Sequence, residues 1–169
     1  FRIAQDRYYT ADGLWVKPES HSIRIGISDY LQQRSGDVAF AEVKPKGTLL
    51  SAGDELAVIE TIKVNISLSS PAAGRVFEVN PLLESTPEVI NQDPYGTGWL
   101  AVMEPDEGVD SLQHLLDVQV YISKIKKELR QNNIEFLAPD INKSDLGYKL
   151  HNNKLITGLN ALKFVSEDA

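Results

Sequence analysis

The sequence predicts a mainly β domain of the sandwich or barrel class, followed by one C-terminal helix. Up to about Met103, short runs that alternate in polarity or are rich in β-branched residues are separated by Gly, Pro, Asn and Asp. That rhythm is typical of strands joined by tight turns. After Pro105 the apolar residues recur at helical spacing. The length of 169 residues fits one domain with appendages.

Seven runs in the first part of the chain are predicted as strands, because each is short, apolar on alternate positions or β-branched, and bounded by turn residues. They are residues 14–16, 22–27, 37–43, 55–62, 66–69, 74–79 and 98–103. Two short helices are expected between them. Ser28 or Asp29 is suited to cap the first helix, and Ser85 and Glu88 have capping-box spacing around Pro87 for the second.

The C-terminal helix is predicted to begin at Ser111, a good N-cap, and to end near residues 131–133. Its apolar positions are Leu112, Leu115, Leu116, Val118, Ile122, Ile125 and Leu129. The chain therefore divides into a domain at residues 1–110, a helix packed on it at 111–131, and an extension of unknown role at 132–169. A hairpin is predicted within the extension, around His151–Asn153.

Composition excludes several classes of function. The chain has 24 acidic and 17 basic residues, a net charge of −7, which argues against a nucleic-acid-binding protein. It has no cysteine, so disulfides, thiolate zinc sites, iron–sulfur clusters and cysteine nucleophiles are excluded. No apolar run reaches the roughly 18 residues of a membrane span, and no signal peptide is expected. Thiol chemistry would need sulfur from an attached group.

No catalytic residue or metal ligand is predicted. The three histidines, His21, His114 and His151, are too scattered to suggest a metal site or a Ser-His-Asp triad. The segment 96–98 lacks the third glycine and the following helix of a phosphate-binding loop. We therefore do not expect a stand-alone enzyme.

One lysine occupies a special position. Lys63 lies at the predicted tip between the strands at 55–62 and 66–69. A lysine at a β-turn is presented to solvent on a rigid platform, which suits enzymatic acylation. The alternative is an ordinary surface lysine that contributes only to solubility.

A resemblance favours modification. Glu60-Thr61-Ile62-Lys63, followed by Ser70-Pro71-Ala72-Ala73-Gly74, resembles the lysine hairpin of lipoyl and biotinyl carrier domains. The glycine cleavage H-protein family carries Glu-Ser-Val-Lys there, then Ser-Pro-x-x-Gly. Biotin carriers usually place Met on both sides of the lysine, so Ile62 and Val64 favour lipoate. The resemblance covers about residues 8–104 and includes residues 9–10, 15–17, 25–30, 36–40, 79–80, 83–84, 87–91 and 93–100.

The resemblance implies a barrel-sandwich hybrid of two small antiparallel sheets, of the lipoyl-domain type, with short peripheral helices. It implies covalent lipoate on Lys63 and a carrier that is not itself an enzyme. Its partners would be glycine decarboxylase (P-protein), aminomethyltransferase (T-protein) and dihydrolipoyl dehydrogenase (L-protein). A lipoate ligase or lipoyl transferase would modify Lys63, with Glu60 as a recognition residue or simply a strand-end carboxylate. The location would be the bacterial cytoplasm or, in a eukaryote, the mitochondrial matrix.

The sequence also departs from the family. His-Glu usually precedes the tryptophan, where this chain has Gly13 and Leu14 before Trp15. The resemblance implies a cleft for the loaded arm, here formed by Leu14, Asp29 and Arg34, in which leucine and arginine would disfavour a cation. Two alternatives stay open: a related lipoate-binding protein of another pathway, such as sulfur oxidation, or an unmodified interaction scaffold.

Overall fold

The computed structural model of the protein describes residues 1–109, 112, 114–131 and the backbone of 140–141. The strands are β1 (Arg2–Ile3), β2 (Tyr8–Tyr9), β3 (Leu14–Pro18), β4 (Ile23–Ile27), β5 (Val38–Val43), β6 (Leu49–Leu50), β7 (Glu55–Thr61), β8 (Asn65–Ser69), β9 (Gly74–Val79), β10 (Ala101–Pro105) and β11 (Asp140–Ile141). The helices are α1 (Asp29–Ser35), α2 (Leu82–Ser85), α3 (Val89–Gln92) and α4 (Val118–Gln131).

Two antiparallel sheets make up the domain. The larger has six strands in the order β2-β3-β4-β10-β9-β6, and the smaller has three in the order β5-β7-β8. Neither sheet closes on itself. In a third, parallel pairing, β1 lies beside β11. The predicted mainly β architecture of two small antiparallel sheets with peripheral helices is confirmed.

The main core lies between the inner faces of the two sheets. Leu56, Ile59 and Leu68 of the smaller sheet belong to one buried cluster with Ile25 and Met103 of the larger sheet. All five side chains are at most 1% exposed. Successive side chains of a strand point to opposite faces, so this cluster uses alternate positions of each strand.

The opposite face of the larger sheet carries an aromatic cluster that holds α4. Trp15 points to this face and packs so closely over Gly26 that a Cβ atom there would lie 2.5 Å from the indole. The rings of Tyr9 and Tyr121 stack with centroids 4.4 Å apart. The Tyr121 hydroxyl is 2.7 Å from the Ser28 Oγ atom. Helix α4 is thus fixed to the sheet by aromatic packing and one buried hydrogen bond.

The predicted start of the C-terminal helix is wrong. Helix α4 begins at Val118, and Ser111, its predicted cap, lies outside the described residues. Leu116 is extended instead, because its backbone exchanges two hydrogen bonds with Tyr9, at 2.8 and 2.7 Å. Asp117 caps the helix from the position before it, since its carboxylate accepts from the Val120 N–H at 2.9 Å. The structure describes α4 as far as Gln131, so its predicted end near residues 131–133 stays a prediction.

The two internal helices give one confirmation and one correction. Ser28 caps α1, and its hydroxyl accepts from the Leu31 N–H at 3.1 Å, as predicted. Ser85 is not an N-cap but the last residue of α2, and the following helix, α3, has no side-chain cap. The Asn80 side chain initiates α2, since its carbonyl accepts from the Leu82 N–H at 3.0 Å.

Strand predictions agree closely with the structure except at β10, which begins at Ala101 and not at Gly98. Gly98 lies in a tight contact, where a Cβ atom would be 2.5 Å from the Val89 carbonyl oxygen. The hairpin predicted around residues 151–153 lies outside the described residues. No helix in the described part of the chain is long and apolar enough to cross a membrane.

Candidate functional site

The β7–β8 hairpin places its tip at residues 61–64. The last paired residues of the two strands are Glu60 and Asn65. Beyond them, the Thr61 N–H donates to the Val64 carbonyl at 2.9 Å, which leaves Ile62 and Lys63 at the end of the loop. The Ile62 N–H donates to the Asp37 carbonyl at 3.3 Å, and this bond ties the tip to the start of β5.

The Thr61 hydroxyl holds this tip together. It donates to the Val64 carbonyl at 2.9 Å and accepts from the N–H groups of Lys63 and Val64 at 3.1 and 3.0 Å. A threonine that bonds to the backbone two and three residues ahead stabilises a turn that has no glycine. The backbone of Lys63 is therefore fixed, while its side chain extends from it.

The Lys63 side chain is exposed and passes over Gly36. Gly36 ends α1 with a φ of 91°, and its N–H donates to the Gln32 carbonyl at 3.0 Å. Within residues 1–109 and the described parts beyond, the Lys63 ammonium makes no salt bridge. The primary amine is therefore accessible to another protein, which is the condition that an attachment site must meet.

Glu60 is exposed on the outer face of the smaller sheet, three residues before Lys63. Its partner across the ladder on β5 is Phe40, whose side chain is 46% exposed. Ile62 and Val64, on either side of Lys63, are 76% and 42% exposed. The lysine thus stands among exposed apolar side chains and one carboxylate.

Of the three residues predicted to form an arm cleft, two do not line a surface cleft. The Leu14 side chain is completely buried in the core, because β3 points it toward the inner face. Asp29 is 8% exposed, and its carboxylate accepts from the Arg2 N–H at 2.7 Å and the Gln32 amide at 2.7 Å. Asp29 therefore has a structural role that anchors the N-terminal strand to α1.

Arg34 does line a groove, between α1 and α4. Its guanidinium pairs with the Glu128 carboxylate at 3.2 Å, and the Tyr30 hydroxyl donates to the same oxygen at 2.9 Å. Burial, with the hydrogen bond to Glu128, raises the pKa of Tyr30 to about 12, so this phenol stays a neutral donor. The groove encloses only about 40 Å³. The Arg34–Glu128 pair joins the two helices across this groove.

Sequence reasoning located Lys63 and Glu60 but missed three neighbours. Thr61 was noted only as part of a motif, although a hydroxyl residue in a turn signals backbone capping. Gly36 has a positive φ that no periodic pattern reveals. Phe40 was predicted only as a strand residue, because its outward orientation depends on the pairing register. No group of three or more His, Cys, Asp or Glu that could hold a metal ion occurs in the part that the structure describes.

Comparison with known proteins adds an independent observation. A family model described as the glycine cleavage H-protein matches residues 7–128. A glycine cleavage system H protein of Thermus thermophilus is 40% identical over 126 residues, which are 75% of this chain and 98% of that protein. The glycine cleavage system H protein of Bacteroides fragilis is 41% identical over 117 residues, which are 69% of this chain and 92% of that protein. The crystal structure of the one from Mycobacterium marinum matches with a TM-score of 0.64 and 32% identity, covering 78% of this chain and 100% of that one.

Proposed function

This chain belongs to the glycine cleavage H-protein family, and from that membership we propose that Lys63 is the attachment residue for its lipoyl group. The family acts as the lipoyl carrier of the glycine cleavage system and is not itself a catalyst, and that is the function of this chain. It works with the other components of the system, the P-, T- and L-proteins. The proposal for this chain is that lipoate is attached covalently at Lys63.

The observation that carries the proposal is the placement of Lys63. Its side chain is exposed at the tip of a two-stranded hairpin whose backbone is held by the three Thr61 hydroxyl bonds. The neutral Nζ atom attacks the carbonyl carbon of an activated lipoate and forms an amide, the activating group leaves with the bonding electrons, and the nitrogen loses one proton. The product has one positive charge fewer than the lysine.

When bound, the lipoyl group supplies the redox-active dithiol that this cysteine-free chain lacks. The chain's own contribution is presentation. A tether on a fixed turn raises the local concentration of the group at each partner's site without any new contact. The net charge of −7 favours encounter with positively charged docking surfaces and makes that encounter sensitive to salt.

We further propose that a lipoate ligase or lipoyl transferase recognises the hairpin through Glu60. The carboxylate is exposed, stands three residues before the lysine and forms no salt bridge among the described residues. It is therefore available to a basic group of an enzyme whose active site holds the tip. The place of action follows the partners: the cytoplasm of a bacterium or the mitochondrial matrix of a eukaryote.

The groove beside Arg34 is the position where we propose that a loaded arm would come to rest, after the Arg34–Glu128 pair separates. The groove and the hairpin tip adjoin α1, because Gly36 directly follows this helix and underlies Lys63. Arg34 and Lys124 line the groove together with Glu128 and Asp12. This arrangement holds a cation less firmly than a cleft lined by carboxylates alone.

The attachment site is tested by intact mass. The unmodified chain is incubated with a lipoate ligase, lipoate and ATP, and we expect the mass of one lipoyl group to be added. Lys63→Arg keeps the charge but lacks a primary amine, so it should gain no mass. Lys46→Arg changes an exposed lysine in another turn and serves as the matched control, which should still be modified.

Two results would contradict the proposal: a lipoyl addition that persists in Lys63→Arg, or no addition to the unaltered chain. The second result would support an unmodified scaffold. The lipoylated chain is then assayed for glycine–bicarbonate exchange with P-protein. Exchange by the wild type and none by Lys63→Arg is the expected result for a carrier of this system.

A further inference from the structure

The outer face of the smaller sheet presents one row of exposed side chains directly below the hairpin tip. The row consists of Phe40 on β5, Glu60 on β7 and Asn65 on β8. We propose that this row is the docking surface for the lipoate-attaching enzyme, with Phe40 as its apolar anchor. This inference rests on the proposed function, since it concerns the enzyme that modifies Lys63.

The pairing register brings the three side chains together. Phe40 is opposite Glu60, and Glu60 is opposite Asn65, so all three point to the same face. The next row, Ala41 with Ile59, points inward and is buried. A row of one aromatic, one carboxylate and one amide therefore crosses all three strands of the smaller sheet.

A β-bulge sets the orientation of Phe40. The register shifts between Val38 and Phe40, because Val38 is opposite Thr61 whereas Phe40 is opposite Glu60, which leaves Ala39 as the extra residue. Bulges re-aim side chains and commonly occur beside functional sites. If regular pairing continued from Val38, Ala39 would be opposite Glu60, and Phe40 would be opposite Ile59 on the inner face. The bulge therefore places a large apolar side chain on the outer surface, 46% exposed.

The position of this row, directly below the hairpin tip, points to the lipoate-attaching enzyme as its partner. An enzyme that acylates Lys63 must enclose the hairpin tip, so its surface continues onto the row that begins three residues before that lysine. The surface offers an aromatic side chain beside a carboxylate that has no salt-bridge partner among the described residues. It therefore fits an enzyme with an apolar recess for Phe40 and a basic group opposite Glu60. Aromatic residues, Phe among them, are enriched in protein interfaces relative to the rest of the protein surface.

The chain offers a matched control in Phe77. This side chain is 41% exposed, close to the value for Phe40, but it lies on β9 of the other sheet. The Lys46 Nζ atom is 5.7 Å from its ring centroid. Phe77 therefore has the same residue type and similar exposure on a strand that does not lead to the lysine.

The test measures lipoylation rates of the whole chain with an ATP-dependent lipoate ligase, at varied concentrations of the acceptor protein. We expect Phe40→Ser to lower kcat/KM by about tenfold, through a higher KM for the acceptor with kcat nearly unchanged. Phe40→Leu should recover most of the rate, because leucine also fills an apolar recess. Phe77→Ser should be modified at the wild-type rate. Thermal unfolding of each variant is measured in parallel.

The outcomes separate this inference from the proposed function. If Phe40→Ser is modified at the wild-type rate while Lys63→Arg is not modified, the docking surface is wrong and the attachment site stands. If kcat/KM for lipoylation falls as much in Phe77→Ser as in Phe40→Ser, the effect comes from general surface hydrophobicity, and the inference is again wrong. If Lys63→Arg is still modified, the proposed function itself fails. A change in kcat alone, with KM unaltered, would also count against docking.

Discussion

Lys63 lies over Gly36, so closely that a Cβ atom on this glycine would be 3.3 Å from the Lys63 Cδ atom. The contact joins the tip of the β7–β8 hairpin to the end of α1. Gly36 has a φ of 91°, a conformation that residues with side chains rarely adopt. The proposed attachment residue is therefore supported by a backbone position that is open to glycine and costly for other residues.

Gly36→Ala should destabilise the protein for two reasons, the positive φ and the contact with Lys63. We expect it to lower the free energy of unfolding by about 1–2 kcal/mol, measured by urea denaturation. Gly47→Ala is the matched control, because Gly47 has a φ of 92° with no atom within 4 Å of an added Cβ. If Gly36→Ala lowers the free energy of unfolding no more than Gly47→Ala does, the contact with Lys63 contributes nothing to stability.

Thr61→Val should loosen the hairpin tip. Valine keeps the shape of the side chain but removes the hydroxyl that bonds to the backbone of Lys63 and Val64. We expect a stability loss of about 1 kcal/mol and slower lipoylation, followed by intact mass. Thr48→Val removes a hydroxyl that donates to the Pro45 carbonyl at 2.6 Å in another exposed turn. That control should lose stability without slower lipoylation, and equal rates for the two variants would refute a role of Thr61 in presentation.

Leu14→Glu should unfold the protein and not restore a carboxylate to the arm cleft. Leu14 is fully buried, and a buried, unpaired carboxylate costs about 3–5 kcal/mol or more. Leu49→Glu is the control, since this side chain is 75% exposed and the change should be nearly neutral. Thermal unfolding distinguishes them. A Leu14→Glu protein as stable as the wild type would show that this side chain reaches solvent.

Alkaline pH should destabilise the protein through its buried tyrosines. Burial raises the pKa of Tyr30 to about 12 and holds the pKa values of Tyr9, Tyr95 and Tyr121 above the ordinary value of 10.0. Above pH 10 the unfolded chain loses phenolic protons that the folded chain retains, so the unfolding free energy falls as pH rises. For each such tyrosine the slope approaches about 1.4 kcal/mol per pH unit.

Urea unfolding between about pH 8 and about pH 11.5 measures this effect. Below about pH 10 we expect the contribution of these tyrosines to the free energy of unfolding to be constant. Above about pH 10 that free energy should fall steadily as the pH rises. Tyr121→Phe should reduce the alkaline slope, although it also removes the hydrogen bond to Ser28. A slope that is unchanged in this variant would mean that Tyr121 titrates normally in the folded protein.

Features that depend on neighbours in the chain could be predicted from the sequence. The seven longer strands were located because β-branched runs between turn residues need no knowledge of their partners, whereas the two-residue strands β1, β2, β6 and β11 were not predicted. The cap of α1 at Ser28 also depends on local chemistry. The two flanking strands place Lys63 at a hairpin tip, and the resemblance of residues 60–63 and 70–74 to lipoyl carriers made it the candidate attachment residue.

Only the tertiary structure decided which face each side chain occupies. Leu116 is part of a helical pattern, but pairing with the Tyr9 backbone holds it extended and moves the start of α4 to Val118. Leu14 was predicted at a cleft, yet the register of β3 buries it, and Arg34 turns to Glu128 on a helix 94 residues away in sequence. These outcomes follow from contacts between distant segments, whose energies outweigh local preference and leave no trace in periodicity.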